Sequence, residues 1–327
     1  MKYSEPLRLV EKALIGDRQA ATHAIGGLPR WPKGWYVVAR TRDLPPGAVC
    51  SGELADRPYV LFRTEKGKLG ALDAHCPHMG AHLKYGKVVG ETIRCSLHHW
   101  KFSVQGRCTS SEDAGVETRS WRAEERYGLI FLFLGDNVFD HSLPCLSEES
   151  AYRWITGSPV ELTTDWHCMV VNGFDMSHLQ TVHNRELIQA AQYTNLDNRC
   201  LELTYRARVT GREISDLVMK WLSKDNIRIR QRCYGPIVFV ETDLGFTRTA
   251  AVFGILTIKN GVRAYGAFGV EPGPALRLRL VLARWLFTAF LRRDFQVVQD
   301  MRLCVDVEDE GVQRMATYLR SLPQITQ

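Results

Sequence analysis

Cys76-Pro77-His78-Met79-Gly80 and, further on, Cys95-Ser96-Leu97-His98-His99-Trp100 are the two segments on which the reading of this chain turns. The pattern is C-x-H, sixteen intervening residues, then C-x-x-H, so each segment brings one thiolate and one imidazole. A zinc finger groups its ligands differently, with Cys paired to Cys and His to His, and that makes zinc the weaker reading. Two thiolates on one iron and two imidazoles on the other complete the ligand set of a [2Fe–2S] cluster. Neutral imidazoles in place of two thiolates reduce the cluster's negative charge and raise its potential to about −150 to +300 mV. Cys76, His78, Cys95 and His98 are therefore the candidate cluster ligands. His75, His82 and His99 lie off the spacing and are read as surface or supporting residues.

Around these segments run short β-like stretches: Trp35–Ala39, Tyr59–Arg63, Leu69–Asp73, Thr92–Cys95, Lys101–Val104 and Tyr127–Leu134. Gly, Pro and Asp break them apart, as in Leu44-Pro45-Pro46-Gly47, which predicts a small all-β domain over residues 34–145. Residues 1–33 read as an arm ending in the turn-rich Gly26-Gly27-Leu28-Pro29-Arg30-Trp31-Pro32. Residues 146–327 form a second, mixed domain. It is expected to be helical over 166–190, strand-rich over 200–270 (Ile237–Thr242 being a good strand) and helical again over 275–320.

The second domain carries another cluster of ligand types, Asn172-Gly173-Phe174-Asp175-Met176-Ser177-His178 followed by His183. Two histidines and one carboxylate make the facial triad of non-haem Fe(II) enzymes, with open positions opposite for dioxygen. Asp175 and His178 share a helix face. His178 and His183 are about 140° apart on an ideal helix, so binding one iron requires the helix to widen or break between them.

The two constellations together resemble the oxygenase subunit of Rieske non-haem iron oxygenases, clearly over residues 35–185 and beyond that through one downstream carboxylate. The second loop of that family reads C-x-x-H-G-W, where this chain has His99 in place of Gly. The resemblance implies an α+β chain: an N-terminal all-β Rieske [2Fe–2S] domain followed by an α+β helix-grip (START-like) catalytic domain holding a mononuclear Fe(II). It assigns that iron to His178 and His183, places Asp175 between the two metal centres, and gives Asn172 a supporting role near the iron. The third ligand is expected among Asp294, Asp300, Asp306, Glu308 and Asp309. Asp300 is preferred because Gln299 precedes it and apolar residues surround it, with Asp294 the main alternative. The family's head-to-tail homotrimer would bring Asp175 of one copy to His98 of the next.

Bulk properties fit such an enzyme. The chain has 327 residues, 24% of them charged, and a net charge of +6 with no run of Lys/Arg, so nucleic-acid binding is not indicated. Ala275–Leu291, the most apolar stretch, contains Arg277, Arg279 and Arg284, and the first thirty residues lack a secretory h-region. Nine cysteines, an odd number, speak against a disulfide framework, so a cytoplasmic setting is expected. With no dinucleotide fingerprint and no plant-type ferredoxin spacing, electrons would come from an external reductase or ferredoxin. The expected reaction uses O2 to hydroxylate, dealkylate or desaturate an apolar small molecule. A monooxygenase is favoured over a cis-dihydroxylating dioxygenase. The competing class is a Rieske electron-transfer or regulatory protein without oxygen chemistry, and a zinc-binding interaction module ranks third.

Overall fold

The computed structural model describes residues 27–110, 115–135, 142–146, 151–224 and 226–325. Nine short strands build the N-terminal half: β1 (Gly34–Arg40), β2 (Val49–Leu54), β3 (Arg57–Arg63), β4 (Leu69–Asp73), β5 (Lys87–Val89), β6 (Thr92–Arg94), β7 (Lys101–Ser103), β8 (Ala123–Arg126) and β9 (Leu129–Leu134). They form three antiparallel three-stranded sheets ordered β1-β9-β8, β2-β3-β4 and β5-β6-β7. β9, Leu-Ile-Phe-Leu-Phe-Leu, is buried along its whole length and anchors the first sheet to the rest of the molecule.

The second half begins with β10 (Arg153–Thr156) and β11 (Val160–Leu162), continues through helices α1 (Trp166–Asn172) and α2 (Ser177–Thr181), and then enters β12 (Arg185–Asp197) and β13 (Cys200–Val209). Helix α3 (Ile214–Ser223) precedes β14 (Ile227–Tyr234), β15 (Ile237–Asp243), β16 (Arg248–Ile258) and β17 (Gly261–Val270). The long helix α4 (Leu276–Val298) and α5 (Glu310–Ser321) complete the chain. One eight-stranded antiparallel sheet runs β10-β17-β16-β15-β14-β13-β12, with β11 also on β17. β13 alternates buried and half-buried positions, the period-2 signature of a sheet with one face on the core. Helix α4 lies against β17 and β10. Between β16 and β17 the chain turns at Asn260-Gly261, where φ is 129° and a Cβ would sit 2.0 Å from the Leu162 carbonyl oxygen, so only glycine fits.

The two halves share one core. Val37 of β1 packs so close to Gly254 of β16 that a Cβ there would lie 2.2 Å from its side chain, and Tyr265 donates its hydroxyl to the Val38 carbonyl at 2.9 Å. Trp35, Phe131, Phe239, Val252 and Ala267 belong to the same buried cluster.

Two expectations need revision. The helix expected over 166–190 is two short helices followed by a strand. α1 stops at Gly173, α2 stops at Thr181, and Asn184 adopts φ 51°, which turns the chain into β12. The helix expected over 275–320 is broken at 299–309, where Asp300 takes φ 57°. Of the expected arm, residues 1–26 lie outside the described residues. The part next to β1 is seated on the second half: Leu28 is fully buried and the Arg30 carbonyl accepts from Trp166 Nε1 at 3.3 Å.

Candidate metal centres

In the N-terminal half, two loops face each other. The first follows β4 and is closed by Cys76 N–H to the Ala81 carbonyl and Gly80 N–H to the Cys76 carbonyl, each 2.9 Å. The second is the β6–β7 connection, closed by Cys95 N–H to the Trp100 carbonyl at 2.8 Å. Cys76 and Cys95 are 3% and 2% exposed, whereas His78 and His98 stand at the surface. Burial, with Cys95 next to it, pushes the Cys76 thiol up, so two adjacent thiols sit in an apolar pocket formed by Phe62, Leu83 and Phe102. The imidazoles lie with centroids 4.4 Å apart, and His78 stacks on Trp100 at 4.4 Å and 5°. Thiols within and imidazoles outward fit a cluster whose histidine-bound iron faces the surface, where electrons enter and leave.

His99 adopts φ 63°, the left-handed conformation that glycine takes without cost. The loop therefore keeps the backbone shape despite the substitution. His99→Gly is expected to retain full cluster absorbance and to change stability by no more than about 1 kcal/mol. Thermal unfolding followed at the cluster's visible bands measures both, and loss of the cluster would show that the His99 side chain itself supports the loop.

In the second half, α1, α2 and α4 converge. His178 lies in α2. His183 lies beyond the helix end, so the geometric conflict seen in the sequence is relieved by a break, and the two rings have centroids 5.0 Å apart at 73°. The carboxylate that meets them is Asp294. Its Oδ1 is 2.8 Å from His183 Nε2, 3.4 Å from His178 Nε2 and 2.9 Å from Asn172 Nδ2. One ligand atom from each of His178, His183 and Asp294 lies within 4.8 Å of the other two, the spacing a single ion requires. Asp300 is not at this site. It sits after the end of α4, exposed, accepting from Thr163 Oγ1, because the helix ends at Val298 and the chain then turns away. Asp294, about one helical turn before the end of α4, falls on the inward stripe Ala283, Leu286, Phe290, Asp294, Val298. That i/i+3/i+4 spacing is the signal by which the sequence could have selected it.

The surroundings hold Asp294 and His183 in the form that binds a metal. Burial raises the Asp294 carboxyl pKa, but hydrogen bonds from His178 and His183 outweigh it and keep the group below the usual range, hence ionised. Burial pushes His183 down, favouring the neutral imidazole. His178 Nδ1 bonds the Asp175 carbonyl, which directs Nε2 inward. His183 Nδ1 has no hydrogen-bond partner among the described residues, and its ring is held by stacking on Phe290 at 3.6 Å and 6°. The Asp175 carboxylate caps α2 through Ser177 N–H at 2.8 Å and Ser177 Oγ at 2.6 Å. Burial lowers His178, but its hydrogen bonds to Asp294 and the Asp175 carbonyl outweigh it and push the ring up. Two imidazoles and a carboxylate, with Asn172 bonded to the carboxylate, are a donor set that suits ferrous iron.

An arginine pair absent from the sequence reading clamps this site. Arg185 and Arg293 both donate to the His183 carbonyl, at 2.9 and 3.2 Å, and both bind Asp216 of α3, at 2.9 and 2.8 Å. A cavity of about 870 Å3 opens beside His178 and Asp294, walled by Val240, Ile255, Phe253, Phe268, Leu282 and Phe287. Its size and apolar lining are those of a small-molecule site. No disulfide joins any of the nine cysteines.

Comparison with known proteins agrees with this geometry. Residues 34–121 match the family model for a Rieske [2Fe-2S] domain. The chain is 31% identical over 170 residues to a cholesterol 7-desaturase of Bombyx mori, covering 49% of this chain and 37% of that protein. It is 32% identical over 171 residues to the oxygenase component of a 3-ketosteroid-9-alpha-monooxygenase of Rhodococcus rhodochrous, covering 47% and 43%. The chain thus spans well under half the length of these relatives. Among solved structures, dicamba monooxygenase bound to dicamba superposes with a TM-score of 0.67 over 88% of this chain and 96% of that one, at 18% identity. NdmA of Pseudomonas putida CBB5 with caffeine superposes with a TM-score of 0.68 over 88% of each chain, at 17% identity. Residues 34–121 form a Rieske domain, and the fold of the chain is that of dicamba monooxygenase and NdmA.

Proposed function

We propose that this chain is the terminal oxygenase component of a Rieske oxygenase system, which uses dioxygen and externally supplied electrons to oxidise an apolar polycyclic molecule of sterol type. The observation that carries the reading is the convergence of His178, His183 and Asp294 at the wall of a large apolar cavity, in the same chain as a complete cluster ligand set. An electron carrier needs only the N-terminal half and has no use for that second constellation. The names of the relatives favour monooxygenation or desaturation of a steroid over cis-dihydroxylation.

Held by His178, His183 and Asp294, ferrous iron supplies the dioxygen-activating chemistry, with electrons from the cluster held by Cys76, His78, Cys95 and His98. Asn172 fixes the orientation of the Asp294 carboxylate, and the Asp175 carbonyl holds the Nδ1 proton of His178. Phe253, Phe268 and Phe287 pack around an apolar substrate and exclude water from the reacting face. A head-to-tail homotrimer completes the reading, with Asp175 of one copy meeting His98 of the next. The donor is a separate reductase or ferredoxin, and cysteines that form no disulfide fit a reducing, cytoplasmic setting.

The test is turnover. Chemically reduced, iron-loaded protein is mixed with dioxygen and a panel of 3-ketosteroids and sterols, and products are separated by mass. A hydroxylated or desaturated steroid is expected. Cluster reoxidation with no product and no substrate-dependent oxygen uptake across the panel would leave an electron carrier.

A further inference from the structure

Helices α3 and α4 each carry apolar side chains toward the cavity and a second apolar set toward solvent. Inward, Met219 and Leu222 of α3 and Leu282, Leu286 and Phe287 of α4 line the cavity. Outward, α3 presents Ile214, Leu217 and Trp221, 74%, 54% and 78% exposed, and α4 presents Leu278, Val281 and Trp285, 68%, 47% and 41% exposed. Both sets follow the spacing i, i+3, i+7 and so form one stripe per helix.

The stripes are neighbours. The N-terminal end of α3 is tied to the C-terminal part of α4 by Glu213 and Asp216 on Arg293, each 2.8 Å. At the other end of α3, Met219 and Leu222 pack with Leu244, whose loop reaches the start of α4 through Arg279 to Thr247 Oγ1 at 2.6 Å. The helices therefore run side by side in opposite directions. Phe246, in that same loop, is 62% exposed and also lines the cavity, which places the cavity rim at this surface. Seven of the sixteen exposed large hydrophobic residues among the described residues are gathered here.

The charge around the stripes is predominantly positive. Arg277, Arg279, Arg284 and Arg292 lie along α4 with no acidic residue before Asp294, Lys220 lies on α3, and Arg212 and Lys224 flank it. The two acids on α3 and its N-cap, Glu213 and Asp216, are both bound to Arg293. Amphipathic helices with Trp and Leu outward and Arg and Lys at the margins suit a bilayer interface with anionic headgroups. A second copy meeting this face across a two-fold axis would set arginines against arginines. No helix among the described residues is long and apolar enough to cross a membrane, so this is a surface contact.

We propose that the outer faces of α3 and α4, with Phe246, dock this chain on an anionic lipid bilayer, so that an apolar substrate enters the cavity from the membrane. The delivery role rests on the proposed function, but docking does not, and it is measured without turnover. Vesicles of phosphatidylcholine alone, or with about one-third phosphatidylglycerol, are floated with the full-length protein, wild type and the double variant Trp221→Glu, Trp285→Glu. Wild type is expected to float with the phosphatidylglycerol vesicles and to be released by about 0.5 M salt, and the variant to bind at least about tenfold more weakly. The variant's cluster spectrum and melting temperature, both expected to match wild type, show that it folds. Failure of wild type to float, or equal flotation of the folded variant, would overturn the proposal. So would sedimentation showing that the two substitutions disrupt self-association and leave flotation unchanged.

Discussion

Asp294→Ala protein is expected to retain its [2Fe–2S] cluster and to lack the mononuclear iron. Iron should fall from about three to about two per chain with acid-labile sulfide unchanged, and steroid oxidation should fall to background. The carboxylate is the point on which His178, His183 and Asn172 converge, so its removal leaves two imidazoles too few to hold the ion. Asp300→Ala is the control. Its carboxylate is bonded to Thr163 on the surface, and the variant should keep both iron populations and its activity. The reverse pattern, with iron lost in Asp300→Ala and kept in Asp294→Ala, would overturn the site as described. Asn172→Ala should fall between them, weakening iron binding by about ten- to a hundredfold as the carboxylate loses its orienting bond.

Asp216→Ala is expected to destabilise the protein more than any surface substitution. Asp216 is 1% exposed and bridges two arginines, so alanine leaves two guanidinium groups without their shared anion. Breaking a buried pair of this kind costs about 3–5 kcal/mol. Denaturant unfolding reads the change, and a loss below about 1 kcal/mol would mean that the network is solvated and contributes little. Burial raises the Asp216 carboxyl, but Arg293 and Arg185 outweigh it and hold it below the usual range. A depressed carboxyl pKa contributes stability that is present at neutral pH and lost as pH falls through the lowered value. The stability gap between wild type and variant should therefore be widest near neutrality and close in acid. Because both arginines also donate to the His183 carbonyl, the variant should hold its mononuclear iron more weakly as well.

Local motifs were legible in the sequence, and placements that depend on distant contacts were not. Cys76, His78, Cys95 and His98 are read from spacing because each pair lies in one tight loop. The strands Tyr59–Arg63 and Leu69–Asp73 are read from composition for the same local reason, and the structure has them at Arg57–Arg63 and Leu69–Asp73. The choice between Asp294 and Asp300 depended on where α4 ends. Val298-Gln299-Asp300 carries no glycine or proline to mark that end, and the left-handed residue is Asp300 itself. Extending the helix to 320 made Asp300 look buried among apolar neighbours. The buried stripe through Phe290 and Val298 points instead to Asp294. α3 carries no buried apolar stripe, since its buried side chains are Asp216 and Ser223 while Ile214, Leu217 and Trp221 face out, and it lies inside a strand-rich region. The Arg185–Asp216–Arg293 clamp joins three elements far apart in sequence and leaves no local pattern.

The most direct test of two metal centres in one chain is iron and sulfide analysis of anaerobically purified protein, wild type beside His178→Ala, with electron paramagnetic resonance of the reduced cluster. About three irons and two sulfides per chain are expected in wild type, with a Rieske-type signal in both proteins and about one iron missing from the variant. Two irons per chain in both proteins, with the same signal, would contradict a mononuclear site at His178, His183 and Asp294 and leave the chain an electron carrier.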